Sequence, residues 1–270
     1  MSFPVLIAVG LVLNAAAALA VLWRGSLDPG GAAAGVVVGT VIFACGGFLF
    51  WVILMAFFVS STALGYVGRS QKEPLKKIHQ KGGRRDMAQV LANGGVGALC
   101  ALLYKITGSP AWAVGFAVSF ASSNADTWAS ELGVLSRGQP VSILTFRPVT
   151  RGASGGVSVL GSTMALAGGL LIGVVFALEN LSLEILPGGF LLAACFVTVG
   201  GFVGSLLDSL LGATIQAQYE SGPAKELTEL PQGLDGRPNR LVRGLTFFNN
   251  DLVNLVSCLL ASLVGILLSR

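Results

Sequence analysis

The chain has 270 residues, of which 53% are hydrophobic and only 11% charged, with a formal net charge of +4 and a mean hydropathy of +0.78. Soluble domains carry about 25% charged residues, so a water-soluble globular protein is excluded and little polar chain remains for a separate soluble domain. The expected class is all-α, a polytopic integral membrane helix bundle that forms one domain over residues 1–270.

A spanning helix needs about 20 mostly apolar residues. Such runs fall near residues 3–23, 30–45, 47–66, 87–106, 110–128, 154–178, 187–214 and 245–268, which predicts about eight transmembrane helices and admits seven to nine. The first run follows Met1-Ser2-Phe3-Pro4, which lacks the positive start of a signal peptide, and is expected to be a retained helix. The second and third, "GGAAAGVVVGTVIFACGGFLFWVILMAFF", read either as two short helices turning at Cys45-Gly46-Gly47 or as one long broken helix. Many of the 37 glycines lie inside apolar runs, where small residues let membrane helices approach closely. Cys45, Cys100, Cys195 and Cys258 each stand alone in a span and read as buried small hydrophobes.

The loop after the third run, near 67–86, holds Arg69, Lys72, Lys76, Lys77, Lys81, Arg84 and Arg85 against Glu73 and Asp86. The positive-inside rule makes it cytoplasmic, and eight spans then put the loops near 129–153 and 215–244 on the same side. With the turn at Arg24, which falls on the same side, they hold all of the 17 basic residues except Lys105 and Arg270, and both chain ends fall outside. At the end of the first basic loop, "QKGGRRDMAQVLANGG" sets glycines and Arg84-Arg85 at a helix start, followed by Gln89 and Asn93 at i and i+4. Freed amides, a helix N-terminus and guanidinium forks suit a phosphate, although topology alone also asks for basic residues there.

Acids inside spans are costly and read as functional by default. Asp126 and Glu131 end the fifth run, Asp208 ends the seventh and Asp251 begins the eighth, all near the basic face. On a regular helix Asp126 and Glu131 stand about 140° apart, so they cannot grip one ion unless the helix unwinds near residues 130–133 or other helices complete each site. Asn124 adds an amide beside Asp126, and Asn250, Asp251 and Asn254 form a polar stripe on the last helix. Hard oxygen donors of this kind suit Mg2+ shared with a nucleotide's phosphates. His79 is the only histidine, which disfavours zinc and histidine-based triads. The loop "RGQPVSILTFRPVTRGASGGVS" then brings Arg147, Arg151 and Ser154 to a glycine-serine helix start, without a Walker A pattern.

In order, "RRDMAQVLANGG", "SNADTWASELG", "RGASGGVS", "GSLLDSLLGATIQ" and "NNDLVN" resemble the motifs of the DUF92 or transmembrane-protein-19 family, over roughly residues 25–265. Asp126, Ala129 and Gly133 also fit the D-x-x-A-x-x-x-G helix end of CTP-using membrane enzymes such as dolichol kinase, phytol kinase and CDP-diglyceride synthase. The loop Thr150-Arg151-Gly152-Ala153-Ser154-Gly155-Gly156 departs from their lysine-threonine-glutamate-glycine core. Family members in photosynthetic organisms are phytyl-phosphate kinases. The resemblance therefore implies a membrane isoprenyl monophosphate kinase that uses a nucleoside triphosphate, CTP by expectation, with no nucleic-acid partner.

It also implies roles. Asp126, Glu131 and Asp208 would be the catalytic acids and, with Asp251, the Mg2+ ligands. Arg84, Arg85, Gln89, Asn93, Asn124, Arg151, Ser154, Asn250 and Asn254 would contact nucleotide or lipid phosphate. The rival readings are cytidylyl transfer to a lipid phosphate, and transport of a solute or ion; the lipid's length and a homo-oligomeric state stay open.

Overall fold

A computed structural model describes residues 1–72, 84–221, 226–233 and 236–270, and of Glu226 only the backbone. The sequence-predicted basic residues Lys76, Lys77, Lys81 and Lys225, with Glu73 and His79, lie outside the described residues.

The apolar runs fold as helices: α1 (Phe3–Arg24), α2 (Pro29–Gly65), the short α3 (Arg69–Lys72), α4 (Met87–Thr107), α5 (Pro110–Gly133), α6 (Val159–Leu183), α7 (Gly189–Thr214) and α8 (Asn250–Leu268). Helices α1, α2, α4, α6, α7 and α8 are long and apolar enough to cross a membrane, and the protein is an integral membrane helical bundle. A straight 37-residue α2 would be about 55 Å long. Its two ends nevertheless meet, because the Ser26 and Tyr66 hydroxyls that flank it lie 3.0 Å apart. The chain reverses at Gly47, whose φ of 77° and ψ of −168° belong to a region that only glycine occupies freely. The ambiguous second and third runs are thus two antiparallel arms joined by a glycine.

Helix starts follow the local sequence. Asp28 caps α2 by accepting from the Gly31 amide, with Pro29 in the first turn. Asp86 and Gln89 form a reciprocal capping box on α4, with bonds of 2.9 and 3.1 Å. Ser158 and Asn249 cap α6 and α8.

Helix α5 is the centre of the bundle, in contact with α2, α4, α6, α7 and α8. Ala113, Val114, Phe116, Ala117, Val118, Ser119, Phe120 and Ala121 have no solvent exposure. Being surrounded by protein, this helix can carry small polar residues that lipid would not tolerate. Phe50, Phe57, Phe116 and Phe120 form a ring cluster between α2 and α5, with centroids 4.3–5.7 Å apart. Small residues set the approach of α7: a Cβ on Gly201 would lie 2.8 Å from the Ala121 carbonyl carbon, and one on Gly204 would lie 2.1 Å from Ser122 Oγ.

Three boundaries differ from the sequence expectation. The loop expected near 129–153 starts at 134, because α5 stays helical through Gly133. Helix α6 begins at Val159 instead of 154, because β1 (Val141–Ser142) pairs with β2 (Gly156–Val157) just before it. Helix α8 begins at Asn250 instead of 245, after the Asn249 cap. The all-α expectation also needs an amendment in the loops: β3 (Gln218–Ser221), β4 (Glu226–Thr228) and β5 (Arg240–Arg243) form a small antiparallel sheet in the order β4-β3-β5. The turn before α2, the starts of α4, α6 and α8 and the ends of α5 and α7 share one face with these loops, and it is the basic face.

Replacing Gly201 by valine should force α5 and α7 apart and cost about 1–3 kcal/mol. Thermal unfolding in detergent should register that loss, with little change for Gly95→Ala, where an added Cβ meets nothing within 4 Å.

Candidate active site

The basic face holds a cavity of about 480 Å³. Alternating helix directions give it a mixed electrostatic character. The N-terminal turns of α4, α6 and α8, with their exposed amides and positive dipole ends, face the C-terminal turns of α5 and α7, whose carbonyl ends are negative. Anionic groups suit the first set and cations the second.

Asp126 from α5 and Asp208 from α7 both line the cavity. Ser257 of α8 donates to Asp208 Oδ2 at 3.0 Å, which fixes that carboxylate against the last helix. Asn250, Asp251 and Asn254 line the same wall, and the buried Asn254 Oδ1 has no hydrogen-bond partner within the protein.

Glu131 also lines the cavity, one and a half turns beyond Asp126, but it is ion-paired with Lys72 of α3. Because α5 does not unwind, Glu131 turns to this lysine and away from the Asp126 side, as a regular helix requires. Among the described residues, no three His, Cys, Asp or Glu side chains come close enough to hold a metal ion by themselves. The expected four-acid set of Asp126, Glu131, Asp208 and Asp251 is therefore not one cage.

The cations come from Arg69, Lys72, Arg85 and Arg151. Arg85 is positioned by its backbone: its amide donates to Ser26 O and its carbonyl accepts from Asp28, both at 3.1 Å. Its guanidinium lies 5.9 Å from the centre of the Phe57 ring. Burial pulls its pKa below the ordinary arginine value and the Glu131 carboxylate counters that shift, so the group stays charged.

The glycine-serine loop forms another wall. Gly155 has a φ of 78° and lies so close to α7 that a Cβ would be 2.3 Å from that of Ala213. Ser154 donates to Glu229 Oε1 at 2.8 Å, and Gln216 Nε2 donates to the same oxygen at 2.8 Å. Arg243 reaches the carbonyls of Gly212 and Ser154 at 3.4 and 3.5 Å, so the loop, α7 and the small sheet are tied together.

Two expected contacts are not in the cavity. Asn124 is fully buried: its Oδ1 accepts from Ser60 and Ser61 at 3.1 Å each, and its Nδ2 donates to Gly168 O at 2.8 Å. Both ends of its amide are thus engaged in joining α5 to α2 and α6. Arg84 is exposed beside Gly25, and of the arginine pair only Arg85 reaches the cavity. Arg147 does not line it either. Gln89 and Asn93 do, although Gln89 also closes the α4 capping box and Asn93 Nδ2 donates to Gln89 O.

Lys72, Gln216 and Glu229 are cavity residues that sequence reasoning passed over. Nothing in their local sequence marks them, because each reaches the cavity from a connecting segment.

Fold and cavity together define a multi-pass membrane protein with a charged site on its basic face. The chain matches the family model described as "Integral membrane protein DUF92" over residues 12–262, and it belongs to that family. It is 35% identical over 257 residues to Protein PGR of Arabidopsis thaliana, covering 88% of each chain. A membrane protein of Synechocystis is 31% identical over 223 residues, 81% of this chain and 83% of that one. Protein VTE6, chloroplastic, of Arabidopsis thaliana is 28% identical over 250 residues, 90% of this chain and 66% of that one. No solved structure matches significantly.

Asn124→Ala should lower thermal stability clearly, since it strands several buried partners at about 1–3 kcal/mol each. Glu131→Gln should cost less, about 1 kcal/mol, because the glutamine oxygen can still accept from Lys72. Unfolding of the two variants in detergent, side by side, checks the contrast.

Proposed function

We propose that this protein is a membrane isoprenyl monophosphate kinase that transfers the terminal phosphoryl group of a nucleoside triphosphate, CTP by expectation, to give an isoprenyl diphosphate. The observation that carries the reading is one cavity lined by Asp126 and Asp208 together with Arg85 and the first turns of α4, α6 and α8. Family membership supports it, as does the resemblance to phytyl-phosphate kinases. We place the basic face in the cytoplasm, where nucleotides are available.

An oxygen of the acceptor phosphate attacks the terminal phosphorus, the bond to the bridging oxygen breaks, and a nucleoside diphosphate leaves. The acceptor is already anionic at neutral pH, so no strong base is needed, in keeping with the scarcity of histidine. What the protein supplies is alignment and charge neutralisation. Arg85 and Arg151 hold the two anionic reactants close, while the amides of residues 152–156 and the α6 N-terminus cradle phosphate oxygens. Lys72 is kept in place by Glu131 and adds positive charge at the rim.

The donor set suits Mg2+: two carboxylates lining one cavity, and an amide oxygen, Asn254 Oδ1, that is buried without a protein partner. Asp126, Asp208 and Asn254 would hold the ion, with phosphates and water completing its shell. Bound there, it would screen the negative charge that builds up between donor and acceptor.

Purified protein in detergent with Mg2+, labelled CTP and phytyl or geranylgeranyl phosphate should form a labelled lipid diphosphate when the label is in the terminal phosphate. EDTA should stop it and Mg2+ restore it. Asp126→Asn and Asp208→Asn should each lower kcat by about 100-fold or more while leaving the melting temperature near that of wild type. Label that moves from the α-phosphate with release of pyrophosphate would make the enzyme a cytidylyltransferase, and no lipid product with CTP, ATP, GTP or UTP would sink the kinase reading.

A further inference from the structure

A second, narrow cavity of about 80 Å³ runs between α1, both arms of α2 and α4. Its walls are apolar, with Ala17, Val21, Val38, Leu54 and Phe58 among them. Arg85, Gln89 and Asn93 line both this slot and the charged cavity, so the two spaces are neighbours across these three residues. From Val21 to Asn14 the slot descends about 10 Å along α1, toward the middle of the membrane. At its floor the Asn14 amide is satisfied at both ends: Nδ2 donates to Gly10 O at 2.8 Å and Oδ1 accepts from Trp51 Nε1 at 3.1 Å. The floor is therefore a closed polar latch between α1 and α2 that asks nothing of an occupant.

We infer that this slot receives the head-proximal part of a single isoprenyl chain, whose phosphate rests on Arg85 at the junction with the charged cavity. The argument is one of complementarity. An apolar slot of about 80 Å³ with Arg85 in its lining matches one tail of an amphiphile with an anionic head. A diacyl lipid offers two tails to a space built for one. The inference rests on the kinase reading for the identity of the acceptor, and it assigns that acceptor's entry to the α1, α2 and α4 side of the bundle, away from α6 and α7. It also names a specificity-determining position. Gly35 lines the slot, and a Cβ there meets nothing within 4 Å, so a larger side chain would project into open space without striking the backbone.

Geranylgeranyl monophosphate with a diazirine on its first isoprene units, photolysed on the intact protein in detergent, should label peptides that contain Ala17, Leu54 or Phe58. Unlabelled geranylgeranyl phosphate should compete at least tenfold better than phosphatidic acid. Gly35→Leu should reduce labelling by at least tenfold and lower kcat/KM for the long acceptor by a similar factor, with the nucleotide KM unchanged. Gly95→Leu, on α4 outside both cavities and also in open space, should do neither. Labelling confined to other helices, absence of labelling in the slot, or equal competition by phosphatidic acid would overturn the inference. Labelling of the slot without formation of lipid diphosphate would leave the inference standing and overturn the kinase reading instead, so the two failures are distinct.

Discussion

Asp126 and Asp208 line one cavity about two turns before the ends of α5 and α7, next to a low-dielectric bundle. Two carboxylates in such a place repel unless something positive joins them. The rest of the site is arranged around that demand. Helices α4, α6 and α8 start where α5 and α7 stop, so amide-rich positive ends surround the acidic pair. Arg85 is brought in by a backbone bridge to the turn before α2, and Ser257 keeps Asp208 from swinging away.

That arrangement depends on how closely α5 can be enclosed. Its neighbours approach through glycines and alanines, and its own small polar groups are spent on holding them: Asn124 joins α2 and α6, and Ser123 donates to the Asn93 carbonyl of α4 at 2.9 Å. The same tight packing that excludes lipid from α5 fixes the azimuth of Asp126 to within the tolerance of a packed helix. The glycine reversal at Gly47 matters in the same way, because it returns the second arm of α2 to the basic face and puts Phe57 beside Arg85.

Adjacent residues on these helices do different work. Asn124 and Asp126 are two positions apart, about 200° around α5, and one is buried in helix contacts while the other faces the cavity. Arg84 and Arg85 diverge: Arg84 lies exposed in a bend beside Gly25, whereas Arg85 bridges to Leu27 and reaches the cavity. Polarity in a motif marks a region of interest, but the direction in which each group points follows from packing that the motif does not contain.

The sequence by itself determined the membrane class, the approximate helix segments, the basic face and the presence of acids at that face. These follow from composition, run length and charge position, which are local properties of the chain and respond directly to the bilayer. Only the tertiary structure decided that Asp126 and Asp208 line one cavity, that Glu131 belongs to Lys72, that Asn124 is spent inside the bundle, and that Gln216 and Glu229 complete the cavity wall. Each of these depends on helix rotation or on a connecting segment returning across many residues, and such long-range packing leaves no periodic or compositional trace in the chain.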